Sequence, residues 1–215
     1  MICAYDKIYL EKARVSLGRM LDFAVYDLKY NISDFFNMFI SSGIAKCFEN
    51  GYSSIITGKS GVELAYAVLE SLKENVPTNI QPKYSANRSP EYWAGWALAY
   101  YQWQTALSFS EIVKYIPIEN IVAMYSKYHE MDIRKFVDEM NRLYKIIKKN
   151  TNLKDRRLQA GISQSQLAEL SSVPLRTIQQ YEQRRKNINF AKLETVLALS
   201  KVLYCQPTDL MELQE

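Results

Sequence analysis

Apolar residues recur at intervals of three and four positions through most of the chain, and no segment has the strict alternation expected of a strand. Caps and prolines mark where helices begin. The helices predicted before residue 148 are 6–29, 33–40, 44–49, 60–72, 89–107 and 131–147, with a short one starting at Pro117. Residues 75–87 contain two prolines and several polar side chains, and we expect the longest loop there. The pattern predicts an all-α protein.

The segment after residue 150 has a different pattern, with shorter helices and closer turns. Two helical stretches, Gln164–Ser171 and Leu175–Gln183, meet across the tight turn Ser172-Val173-Pro174. A first helix, Leu153–Ala160, is predicted to begin at an Asn152 cap, and Ser163 with Gln166 forms a capping box for the second. A fourth helix is predicted at Ala191–Leu203 and a short fifth from Pro207. Two short helices braced across a tight turn are typical of a helix-turn-helix.

The third of these helices divides into an apolar and a polar face. Ile178 and Tyr181 share the inner face, and the preceding helix is expected to turn Leu167, Ala168 and Leu170 inward. The residues left facing outward are Leu175, Arg176, Thr177, Gln179, Gln180 and Gln183. Arginine and glutamine can form paired hydrogen bonds with base edges, and they stand near the helix start, where bases are usually reached.

The stretch "GISQSQLAELSSVPLRTIQQYEQ" is similar to the Cro/C1-type (XRE) helix-turn-helix family. The positions that carry the resemblance are Gly161, Gln164, Leu167, Ala168, Val173, Ile178, Tyr181 and Glu182. The resemblance spans Leu153–Leu210 and implies a compact five-helix, lambda repressor-like domain. Such domains bind double-stranded DNA operators, normally as homodimers. We therefore predict an N-terminal helical domain at 1–148 followed by a DNA-binding domain at 152–213.

The resemblance also implies which side chains reach DNA. Base contacts are expected from Leu175, Arg176, Gln179 and Gln180, with Leu175 suited to a thymine methyl group. Phosphate contacts are expected from Gln164, Thr177, Arg184, Arg185 and Lys186. Three features depart from the family: Pro174 replaces a common serine or threonine, Leu175 is apolar at a base-facing position, and Arg184-Arg185-Lys186-Asn187 stands where a glycine is common.

Charge is concentrated around this segment. Residues 145–192 hold 11 Lys or Arg and 3 Asp or Glu, a balance of 11 − 3 = +8, although the whole chain is only +4. Residues 193–215 hold one Lys and four acids, a balance of −3, which leaves 4 − 8 + 3 = −1 for residues 1–144. A basic patch confined to a groove-sized helix indicates phosphate contacts with a strong salt dependence.

Other features of the composition argue against several classes of protein. Three widely separated cysteines indicate reduced thiols and no disulfide framework. Neither a signal peptide nor a membrane-spanning apolar run is found. We therefore expect a cytoplasmic protein. Gly58-Lys59-Ser60 resembles the end of a phosphate-binding loop, but Ser53 stands where the motif needs glycine; a turn before a Ser60 cap is the better interpretation. The single histidine, His129, gives no metal site. We expect no enzyme and no cofactor.

The first 148 residues leave three hypotheses for their role. "AYDKIYLEKA", "SGVELAYAVLE" and "SPEYWAGWALAYYQWQTALSF" resemble, more weakly, the N-terminal halves of regulators encoded beside toxin-like genes. That resemblance implies an antitoxin-like protein with a protein partner on this domain. Alternatively the domain dimerises or senses a small ligand between Trp93, Trp96 and Trp103, although such a stripe is more often core. A fused enzyme is the third hypothesis, and no residue pattern points to one.

Overall fold

The computed structural model describes residues 3–74, 80–83 and 87–213, and these contain helices but no strand. The chain forms two compact units, Met1–Ile147 and Lys148–Glu215, here called the N-terminal and C-terminal units. The all-α fold is thus confirmed. Most of the predicted 75–87 loop lies outside the described residues. Of the helices that are described, none combines the length and the apolar character needed to cross a bilayer.

Ten α-helices form the N-terminal unit, after a short 3-10 helix at Lys7–Tyr9. They are α1 Leu10–Tyr26, α2 Ile32–Ser41, α3 Ile44–Glu49, α4 Ser53–Ile56, α5 Gly61–Ser71, α6 Pro90–Thr105, α7 Phe109–Tyr115, α8 Ile118–Ala123, α9 Tyr125–Tyr128 and α10 Ile133–Ile147. The C-terminal unit holds α11 Asn152–Gln159, α12 Gln164–Ser171, α13 Leu175–Glu182 and α14 Leu193–Val202, with 3-10 helices at Ile188–Phe190 and Pro207–Leu210.

Local capping chemistry sets where most of these helices begin. The predicted box at Ser60 is present: its hydroxyl accepts from the Glu63 amide, and the Glu63 carboxylate accepts from the Ser60 amide at 2.7 Å. The second helix was predicted to begin at a Ser33 cap, and this is wrong, because the Asn31 side chain caps α2 by accepting from the Ser33 amide at 2.9 Å. Asp6 caps the 3-10 helix rather than α1.

Helix α1 lies against α5 and α6 at glycines that let the backbones approach closely. A Cβ atom added at Gly95 on α6 would lie 2.7 Å from the Leu17 carbonyl oxygen and 2.9 Å from the Gly18 Cα. A Cβ at Gly61, the first residue of α5, would lie 2.6 Å from the Met20 amide nitrogen. Backbone atoms occupy these spaces, so only glycine fits without moving a helix.

We predict that Gly95→Ala destabilises the protein by about 2 kcal/mol, since the added methyl group overpacks a contact between two backbones. Gly43→Ala is the matched control. Gly43 has φ +78° and nothing within 4 Å of its added Cβ, so only the left-handed cost of about 1 kcal/mol applies there. Urea unfolding of the full chain measures both. An equal loss in the two variants would contradict the close crossing.

Aromatic rings fill the rest of the N-terminal core. Phe36, Phe39, Phe48 and Phe109 form one cluster with ring centroids 5.5–6.3 Å apart. Trp93 is buried and packs edge-on against Phe136 at 5.3 Å. The core interpretation of the aromatic stripe is therefore confirmed at Trp93.

The other two tryptophans of that stripe are engaged in contacts within the unit. The Trp103 indole N–H donates to the Tyr5 carbonyl at 2.8 Å. The Trp96 ring carries the Arg14 guanidinium over its face, 3.3 Å from the ring centroid. The Trp103 N–H and the face of the Trp96 ring thus both have partners within the unit, so packing alone explains the two rings.

Two further features also have structural explanations. The Gly58-Lys59-Ser60 segment follows the short helix α4, not a strand, and leads into the Ser60 cap, so the turn interpretation is confirmed. The His129 ring stacks on Tyr125, and its Nδ1 lies 2.8 Å from the Tyr125 carbonyl oxygen. No three or more His, Cys, Asp or Glu side chains gather as a metal-binding group in the part of the chain that the structure describes.

Candidate nucleic-acid interface

The helix-turn-helix of the C-terminal unit is built from local signals on either side of a tight turn. Ser163 and Gln166 form the predicted capping box at the start of α12, with bonds of 3.1 and 2.8 Å. Ser172 ends α12 in the left-handed conformation, at φ +56°. Pro174, at φ −53° and ψ 134°, stands immediately before α13 and stops the turn from continuing as helix.

The preceding helix begins one residue earlier than predicted. The Thr151 hydroxyl accepts from the Lys154 amide and caps α11, so Asn152 is the first helical residue and not the cap. The Asn152 amide nitrogen instead donates to the Glu212 carboxylate at 2.6 Å. This contact links the two ends of the unit, which local sequence patterns do not reveal.

One core holds α11, α12, α13 and α14 together. Its buried members are Leu153, Leu167, Val173, Ile178, Tyr181, Ile188, Val196, Leu199, Leu203 and Leu210. Ala168 packs against it as predicted, but Leu170, also expected inward, is exposed. Ile178 and Tyr181 fix the rotation of α13, because burying this pair leaves the opposite side of the helix at the surface.

A buried ion pair links the first and third of these helices. The Arg157 guanidinium on α11 donates Nε–H to Glu182 Oε1 at 2.6 Å and Nη2–H to Oε2 at 2.9 Å. Its remaining nitrogen donates to the Ile162 carbonyl oxygen at 2.8 Å. The hydrogen bonds to Glu182 raise the pKa of the Arg157 guanidinium above its ordinary value. The pair is nearly inaccessible to water and fixes the end of α13 against α11.

Gln164 joins this pair from the start of α12. Its side-chain amide donates to Glu182 Oε2 at 2.7 Å, so three helices meet at one carboxylate. The sequence predicted Gln164 over a phosphate, and the structure gives its N–H a partner within the protein. A phosphate contact from this residue remains a prediction for the DNA-bound state.

The residues predicted to contact bases share one face of α13. Leu175, Arg176, Gln179 and Gln180 lie at i, i+1, i+4 and i+5, opposite the buried Ile178. Leu175 and Arg176 are exposed, and the two glutamines are half-buried. We call these four residues the α13 outer face. It presents one apolar group, one guanidinium and two amides, which together can make the contacts that base edges accept.

The residues predicted to contact phosphates flank that face. Thr177 is half-buried on α13, whereas Arg185 and Lys186 are exposed in the segment after it. The charge balance overstated the cations available to DNA. Arg157 is buried with Glu182, and Arg156 pairs with Asp209 at 3.3 Å.

Arg184 has a structural role that sequence reasoning missed. It adopts φ +55°, so the glycine-like position after α13 is filled by an arginine. The Arg184 amide donates to the Tyr181 carbonyl oxygen and the Arg185 amide to that of Gln180, which is the usual closing motif of a helix. The Arg184 guanidinium donates to the carbonyl oxygens of Lys148, Lys149 and Asn150 at 2.8–3.1 Å. Its predicted phosphate contact would compete with these bonds.

We predict that Arg184→Ala destabilises the protein more than Arg184→Gly, by about 1 kcal/mol. Both variants lose the bonds to the carbonyl oxygens, but only alanine retains the cost of a left-handed backbone. Urea unfolding of the two full-length variants measures the difference. An alanine variant as stable as the glycine variant would show that the backbone relaxes on losing the arginine.

Comparison with known proteins assigns the C-terminal unit and leaves the N-terminal unit unassigned. A family model described as helix-turn-helix matches residues 153–210. Neither a search of curated proteins nor one of solved structures gave a match. The matched residues span α11 to the last 3-10 helix, and they include the capping box, the tight turn and the outer face. Residues 153–210 therefore form a helix-turn-helix domain of the XRE type, the domain of DNA-binding transcription regulators.

Proposed function

We propose that the protein is a cytoplasmic transcriptional repressor that binds a specific double-stranded operator as a homodimer. In each copy, α13 enters the major groove with Leu175, Arg176, Gln179 and Gln180 toward the bases. The observation that carries the proposal is the α13 outer face, with Leu175 and Arg176 exposed and Gln179 and Gln180 half-buried on a helix whose other side is buried. A helix held in this way is already ordered before it contacts base edges, so binding loses no conformational entropy in folding it.

Phosphate contacts supply most of the affinity in this proposal. Arg185 and Lys186 are exposed in the segment that follows α13, and Thr177 is half-buried on α13 itself. Contacts to phosphates fix the position of a protein on the duplex, whereas base contacts select the sequence. The proposal therefore assigns affinity and its salt dependence to the first group, and specificity to the α13 outer face.

An antitoxin-like role is the second candidate. Ile8 and Tyr52 are exposed on the N-terminal unit, and Tyr52 directly follows Gly51, where an added Cβ would lie against the Tyr5 side chain. Exposed aromatic and aliphatic side chains favour a protein partner. In this role the N-terminal unit holds the partner while the C-terminal unit represses the operon that encodes both.

Genome-wide capture of DNA with the full-length protein, followed by identification of co-purifying proteins, separates the two candidates. Repression predicts enrichment of discrete sites, and a reporter placed behind such a site falls in expression when the protein is made. The antitoxin-like role predicts in addition a co-purifying protein that is lost when Met1–Tyr144 is deleted. Enrichment of no site would contradict both roles.

A further inference from the structure

The C-terminal unit exposes four large apolar side chains, two on α14 and one beyond each of its ends. Leu193 and Leu197 are 69% and 45% exposed, and Phe190 and Tyr204, next to the helix ends, are 88% and 96% exposed. We call these four residues the α14 row. Helical spacing puts both leucines among the apolar positions of this helix, but they lie outside the core, which Val196, Leu199 and Leu203 fill.

Two opposite charges stand beside this row. Glu194 lies three residues before Leu197 and Lys201 four residues after it, and both are exposed. Within the described residues neither side chain takes part in an ion pair. If two α14 helices lie antiparallel about a two-fold axis at Leu197, each Glu194 faces Lys201 of the other copy. In a parallel arrangement the Glu194 and Lys201 side chains of the two copies would lie on opposite flanks of the interface, where they could not pair.

We propose that the α14 row binds the same row of a second copy of this chain, antiparallel about a two-fold axis at Leu197. Such an interface is isologous, so every contact occurs twice. The axis pairs Leu197 with itself, brings Phe190 toward Tyr204 of the second copy and forms two Glu194–Lys201 ion pairs. This inference rests on the proposed function, because it supplies the symmetry with which two α13 helices meet two half-sites.

The small extent of the row determines when the pair forms. Four side chains from each copy cover less surface than the roughly 800 Å² per partner of a standard stable interface. The α14 pair is therefore weak in free protein and strengthened when a duplex brings two copies together. Its contribution is to bind the second copy cooperatively.

Cross-linking tests the position of the axis. A residue on a two-fold axis meets its own copy, so full-length Leu197→Cys is expected to form a covalent dimer with a short bismaleimide. Leu170→Cys, also exposed but on α12, is the matched control. Wild type reports the background from Cys3, Cys47 and Cys205; burial raises the pKa of the Cys205 thiol and so lowers its reactivity. The dimer yields of Leu197→Cys and Leu170→Cys are compared in the presence of captured DNA, and again at high protein concentration without DNA. Equal yields from the two variants in both conditions would overturn the proposal.

A charge exchange tests the antiparallel orientation. Glu194→Lys and Lys201→Glu each place like charges opposite each other twice, and each is expected to lower cooperative binding of the second copy about tenfold. The double variant E194K/K201E restores opposite charges and is expected to return to within about twofold of wild type. No recovery in the double variant would overturn the orientation. Binding to a duplex with one half-site, measured in parallel, reports the proposed function separately, because it does not need the second copy.

Discussion

Arg157→Ala is expected to destabilise the C-terminal unit by about 3–5 kcal/mol, the range found when one member of a buried ion pair is removed. The substitution leaves the Glu182 carboxylate with its hydrogen bond from Gln164 but without the two from Arg157, and the Ile162 carbonyl oxygen loses its bond from Arg157. Small domains are stable by only about 5–15 kcal/mol, so this loss removes much of the folded population. The melting temperature of the full chain and its affinity for DNA are expected to fall together.

The neighbouring arginine provides the control. Arg156 pairs with Asp209 at 3.3 Å, but both side chains are over a third exposed, so Arg156→Ala is expected to cost less than about 1 kcal/mol. The two variants remove the same charge from adjacent positions on one helix. A similar melting temperature for both would show that the Arg157–Glu182 pair does not hold α13 in place.

Arg176→Ala and Gln180→Ala are expected to weaken binding to a captured operator by about 1–3 kcal/mol each. Each removes a side chain that can form paired hydrogen bonds with one base, so discrimination against altered bases falls at the position that it contacts. Neither residue belongs to the core, and unfolding is expected to stay near wild type. Fluorescence anisotropy titration with operator and altered duplexes measures both effects.

Arg185→Ala is the comparison for these variants. The loss of its charge weakens binding to specific and unrelated duplexes alike. The slope of log affinity against log salt concentration is expected to fall by about the amount that one phosphate contact contributes. The three variants thus separate base contacts from phosphate contacts. If all three bind the operator as tightly as wild type, α13 is not the helix that reads DNA.

Features that depend on a few neighbouring residues could be predicted from the sequence. The capping boxes at Ser60 and Ser163 each place donor and acceptor three residues apart, and both are present. The buried pair Ile178 and Tyr181 follows from helical periodicity within a single turn. Because these signals are local, the sequence alone is enough to predict the helix-turn-helix and the outward face of α13.

Features that join distant parts of the chain could not be predicted in the same way. Arg157 and Glu182 are 25 residues apart, and the only sequence signal is that Arg157 lies four residues after the buried Leu153, on the same side of α11. The Gly95 crossing depends on Leu17, almost 80 residues earlier. Leucines at helical spacing on α14 gave no sign that Leu193 and Leu197 face outward, because the buried and exposed rows are both apolar.

Selection of duplexes from a random pool, carried out in parallel with the wild-type protein and with Arg176→Ala/Gln180→Ala, tests the central claim most directly. The α13 outer face, held by the Arg157–Gln164–Glu182 contacts, is expected to enrich a two-fold symmetric motif with wild type. The double variant is expected to lose that motif while retaining salt-dependent binding to unselected DNA. Enrichment of the same motif by both proteins, or of no motif by wild type, would contradict the account.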